Sequence, residues 1–132
     1  GVFVMKTADL VADHRTDALV ALATNRRIYE LCDRHGQVIV ACHKNGNGIG
    51  YSPSTNPAQA FELIEVFGVG LSKAPKSWGK GKQYAWQANI LSADECNVFM
   101  AYGSTPALAI CKAVISSKCG DEIPAEIWEK VK

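Results

Sequence analysis

Two stretches constrain the fold more than any other feature: Tyr51-x-x-Ser54-Thr55-Asn56-Pro57-Ala58-x-Ala60 and Tyr102-x-Ser104-Thr105-Pro106-Ala107-x-Ala109. A hydroxyl or amide side chain just before a proline is a helix start. Its oxygen accepts the orphan N–H groups of the first turn, and proline is already set to a helical φ and has no N–H to lose. Asn56, Pro57 and Gln59 make a capping-box pattern, with Ala60, Phe61, Ile64 and Phe67 as the buried stripe and Gly68 as the stop. Pro106 opens another helix, running through Ile110, Ala113 and Val114 to Lys118, with Gly120 past its end. Either both helices follow strands and need the same caps, or the chain is internally duplicated. The residues leave both explanations open.

Elsewhere Thr16 to Ala23 reads as a helix, with Asp13 and Asp17 near its positive end and Asn25 as the stop. Residues 27–32 and 37–42 are rich in β-branched and aromatic side chains, and Asp33-Arg34-His35-Gly36 between them suits a type I turn. A helix continuing from 16 through Cys32 competes with the first of these strands. Asn45-Gly46-Asn47-Gly48 breaks the chain. Tyr84 to Leu91 and Cys96 to Tyr102 form a second strand pair, with Trp86, Ala88 and Ile90 on the buried side. The order helix, hairpin, helix, hairpin, helix predicts an α+β fold: a mainly antiparallel sheet of roughly four to five strands with about three helices covering both faces. Residues 5–124 are read as one α/β sandwich domain beginning effectively at Met5, and residues 125–132 as a short helical tail.

The chain has 132 residues, 48% hydrophobic and 20% charged, an ordinary balance for one globular domain. No apolar run approaches the roughly 18 residues of a membrane helix, and the first five residues are too short and too weakly charged for a signal peptide. Lys and Arg total 14 against 13 acids, so no strong overall field points to nucleic acid or membrane. Five cysteines are an odd number and none forms Cys-x-x-Cys, which points to a reducing, cytoplasmic compartment.

Segments Tyr51 to Glu65 (YSPSTNPAQAFELIE) and Ala101 to Ala113 (AYGSTPALAICKA) resemble the phage alpha-beta-alpha sandwich domain family. Lys118 to Pro124 and Met5 to Leu10 are similar to the tail and start of the related NinX-like phage proteins. The resemblance implies a three-layer α/β/α sandwich encoded by a phage or prophage. It brings no catalytic residue and no cofactor.

Candidate sites come from local chemistry. Residues 66–93 hold Lys73, Lys76, Lys80 and Lys82 and no acid, a local charge of +4, interleaved with Trp78 and Tyr84. Such a segment can hold phosphates and stack bases, or it can be a solvated connection. Ser54, Thr55, Ser104 and Thr105 precede helix starts, where an anion can bind, although capping alone explains them. Cys32, His35, Cys42 and His43 match no zinc spacing, so no metal is expected. Cys111 with His14, His35 or His43 is the only thiol–imidazole possibility, and Cys111 sits among apolar neighbours. Gly46 to Gly50 lacks the phosphate-loop fingerprint, and Glu62 and Glu65 read as a solvated helix edge. The expectation is a non-catalytic phage or prophage accessory protein that binds a host component, as in anti-defence. The alternatives are a nucleic-acid or nucleotide-messenger binder using the lysine-rich loop, or an enzyme of unassigned chemistry. A homodimer is a further expected partner state.

Overall fold

The computed structural model describes residues 5–41, 47–74 and 81–132. In chain order they form β1 (Met5–Lys6), a 3-10 turn (Thr7–Asp9), α1 (His14–Ala23), β2 (Ile28–Glu30), β3 (Val38–Ala41), β4 (Gly48–Tyr51) and α2 (Pro57–Phe67). Then follow β5 (Val69–Lys73), a second 3-10 turn (Lys82–Tyr84), β6 (Trp86–Leu91), β7 (Val98–Gly103), α3 (Pro106–Cys119), β8 (Glu122–Ile123) and α4 (Ala125–Val131). Among the described residues every strand pairing is antiparallel, in three small sheets ordered β1-β8, β2-β3-β4 and β5-β6-β7.

The class is α+β, but strand count and layering differ from the expected single sheet clothed by helices. The reason lies in α3. Every residue from Ala107 to Ser116 is buried, and all but Lys112 and Ser116 are apolar, so this helix is enclosed on all sides and sits inside the protein. One side of α3 packs on β6 and β7, and the other on α1 and α2. α1 in turn touches β2 and β3. A helix therefore holds the centre. No described α-helix packs on the outer face of the β5–β7 sheet, where Leu91, Val98 and Met100 are each at least half exposed. Two short strands, β4 and β5, were hidden in sequence by their glycines, which lower strand propensity. The expected C-terminal tail is a packed element, because Trp128 and Val131 of α4 belong to the core cluster.

The two proline-started helices form as their caps dictate. Ala58 and Gln59 donate backbone N–H groups to Asn56 Oδ1 at 3.0 and 3.4 Å, and Leu108 donates to Thr105 Oγ1 at 3.2 Å. Gln59 does not close a capping box. Its side chain instead accepts from Ser52 N–H at 2.7 Å and donates to Gly50 carbonyl at 3.0 Å, tying α2 to the end of β4. Gly68 ends α2 at φ 65°, the left-handed conformation that glycine adopts without cost. The buried residues of α2 are Ala60 and Leu63, with Ile64 and Phe67 packed beside them; Phe61, read as core, is 49% exposed. Replacing Asn56 with Ala is expected to cost about 1 kcal/mol, measured by urea unfolding, because two first-turn donors lose their acceptor.

Each half of the chain thus runs three antiparallel strands into a proline-started helix: β2-β3-β4-α2 and β5-β6-β7-α3. The echo in sequence is an echo in topology.

Candidate ligand cleft

A cleft of about 340 Å³ opens beside β7. Its floor is α3, through Lys112 and Ser116; one wall is the turn Thr7–Asp9, and the other is Met100 and Tyr102 of β7 with Tyr84 of the second 3-10 turn. The N-terminal wall is stapled in place. Met5 pairs with Ile123 and Lys6 with Glu122, Thr7 N–H donates to the Asp121 carbonyl at 2.9 Å, and Thr7 Oγ1 donates to the Gly120 carbonyl at 2.8 Å. Gly120, at φ 77°, turns the chain from α3 into β8 and so sets where Asp121 stands at the cleft's end.

Lys112 is the unusual residue. Only 7% of it is exposed, and its Nζ donates to the Ala8 carbonyl at 2.7 Å. No carboxylate lies within ion-pair distance of it among the described residues. Burial pushes its pKa below the usual lysine range, opposed by the nearby negative charge of Asp9. An ammonium has three donors and strong hydration to lose, so burying one against a single carbonyl is costly. The aromatic wall is ordered in its own way. Tyr84 and Tyr102 meet edge to face, with ring centres 5.7 Å apart. Across the outer sheet face Ser72 Oγ donates to Gln87 Oε1 at 3.3 Å, and Gln87 Nε2 donates to the Tyr102 hydroxyl at 3.2 Å.

Of the expected lysine-loop residues, Tyr84 lines this cleft, while Lys73 and Lys82 are exposed and line none of it. Lys76, Trp78 and Lys80 lie outside the described residues. Sequence reading missed Lys112, Tyr102 and Asp121. A signal for Lys112 was present: it is the one charge inside the otherwise apolar run Ala107 to Ile115.

The two helix starts do converge. Ser54, Thr55, Ser104 and Thr105 line one separate cavity of about 410 Å³, which shares no lining residue with the cleft. Its electrostatics do not favour an anion. The caps already take the Ala58, Gln59 and Leu108 donors, and Ser54 N–H donates to the Asp17 carboxylate at 2.8 Å. Pro57, Phe61 and Pro106 make the walls apolar. Of the four, Thr105 caps α3, Thr55 Oγ1 donates back to the Ser52 carbonyl at 3.3 Å, and Ser54 is held on the Asp17 carboxylate, so a buried acid and not a positive field stands behind them.

For chemistry, Cys111 is fully enclosed, and burial raises its thiol well above the usual range, away from the reactive thiolate. Among the described residues no cluster of three or more His, Cys, Asp or Glu could hold a metal ion, and Cys42 and His43 lie outside them. No helix among the described residues is long and apolar enough to cross a membrane.

No protein-family model matches the chain, so the resemblance to sandwich-domain and NinX-like proteins gains no support there. No curated protein matches it in sequence either. The fold does match a solved structure, a phage protein from Bacillus cereus, with a TM-score of 0.60 at 17% identity, covering 88% of this chain and 99% of that one. At that identity the likeness shows a shared fold.

Proposed function

We propose that this is a phage or prophage accessory protein acting in the bacterial cytoplasm by binding, without chemistry of its own, and that its ligand is a nucleotide held in the cleft beside β7. The observation that carries the reading is Lys112, a buried ammonium lining a cavity with no carboxylate in ion-pair distance among the described residues. A phosphate entering the cleft would give Lys112 a direct anionic partner, which Asp9, acting on it only through space, does not. Tyr84, Tyr102 and the soft side chain of Met100 offer surfaces for a flat base. The volume sits at the small end of ligand pockets, which run from roughly 300 to 1,000 Å³, so it takes one nucleotide and not a duplex. The fold shared with a phage protein supports the origin. Sequestering such a ligand is one way an accessory protein interferes with its host.

Calorimetric titration of the full chain with mononucleotides tests this. Wild type is expected to bind, and Lys112→Met to bind roughly 30-fold more weakly, the worth of one charge-assisted contact of about 2 kcal/mol. Methionine replaces a buried charge with an apolar chain of similar length, so stability is expected to hold or rise. Equal affinity in the variant, or no nucleotide binding in wild type, overturns the reading. A second reading, capture of a host protein, is favoured by the uncovered stripe Leu91, Val98 and Met100. There, serine at Leu91 and Val98 would abolish capture and leave nucleotide affinity unchanged.

A further inference from the structure

We infer that the cleft selects guanine nucleotides, with Asp121 reading the base; this rests on the nucleotide reading above. The cleft is not simply cationic. Two lysines, Lys6 and Lys112, and two carboxylates, Asp9 and Asp121, line the same small volume, so its formal charge balances. Inorganic phosphate or a sugar phosphate would satisfy the lysines and leave an anion facing the carboxylates. A ligand that fits must bring negative charge at one place and hydrogen-bond donors at another.

The two carboxylates are not equivalent. Asp9 is close enough to Lys112 to act on its charge, so it belongs to the lysine's surroundings. The Asp121 side chain has no ion pair or hydrogen bond among the described residues, while its backbone is fixed: its carbonyl accepts from Thr7 N–H, and Gly120 turns the chain just before it. An unengaged carboxylate on a held backbone is a ready acceptor. An ionised carboxylate only accepts, through two oxygens side by side. Among the bases, guanine presents two adjacent donors, N1–H and the 2-amino group, whereas adenine and cytosine each set one donor beside an acceptor that a carboxylate repels. The lysines then hold the phosphate, and the tyrosine wall carries the ring.

The test is titration of the full chain with GMP, IMP and AMP. GMP is expected to bind about 30-fold or more tightly than AMP, with IMP between them because it keeps N1–H and lacks the 2-amino group. Asp121→Asn is expected to abolish the preference by weakening GMP while leaving AMP unchanged or tighter, since an amide pairs with adenine. A merely structural role would weaken both nucleotides together. Equal binding of GMP and AMP by wild type, loss of both in Asp121→Asn, or loss of the preference in Asp9→Asn alone overturns the inference and leaves the nucleotide reading standing. Failure of every nucleotide to bind removes both.

Discussion

Gly103→Ala is expected to lower the unfolding free energy by about 3 kcal/mol, on the order of 10 °C in Tm, from the addition of one methyl group. Gly103 is the last residue of β7, where the strand crosses directly onto the first turn of α3. A Cβ there would sit 2.6 Å from the backbone nitrogen of Ala109 and 3.1 Å from its Cα. Neither atom can swing aside, because both belong to a helix buried on every face. Either the strand or the helix has to move, and each is packed against further elements. Gly70→Ala makes the control. Its new Cβ would meet the side chain of Asn89 at 2.7 Å, and a side chain can rotate away, so the cost is expected to stay near 1 kcal/mol. Urea unfolding of the two variants compares them directly. Equal, small losses would mean that β7 and α3 are not in backbone contact.

Asp17→Asn is expected to stabilise the protein by about 3 kcal/mol at pH 7. Asp17 is 3% exposed in α1, and burial raises its pKa to about 6, partly offset by hydrogen bonding from Ser54. The folded value lies above the ordinary 3.8, so the folded state prefers the protonated acid. The ionised carboxylate therefore penalises folding fully above about pH 6, and the penalty fades as pH falls toward 3.8. Asparagine keeps an oxygen to accept Ser54 N–H at 2.8 Å and removes the charge. Its amide can donate to Ser54 Oγ, a buried hydroxyl with no partner at hydrogen-bond geometry among the described residues. The advantage of the variant is expected to be greatest at pH 7 and to shrink near pH 4. Denaturant unfolding at both values checks it, and a constant difference across that range would show that Asp17 does not titrate in the fold.

Several features were legible from residue order because their physics is local. Asn56-Pro57 and Thr105-Pro106 favour helix starts through contacts that lie within four residues of each other. Asp33 to Gly36 closes its hairpin for the same reason, with the Gly36 N–H donating to the Asp33 carbonyl at 3.0 Å. The alternation of Ala88 and Ile90 with Gln87 and Asn89 told which side of β6 is buried, because a strand's period of two survives any context.

The candidate site was not legible in that way. Tyr84 could be picked out beside the lysines, but nothing local joins it to Thr7, Lys112 and Asp121. Those residues meet only after β1 pairs with β8 and α3 is drawn into the interior. The sequence by itself determined where helices and turns begin, through caps and φ preferences acting over a few bonds. Only the tertiary structure decided that α3 sits at the centre, turning Lys112 from a charge on a helix into a buried ammonium and Asp17 from a partner of a helix end into a buried acid. Burial is a property of the whole packed chain, and it gives both residues their chemistry.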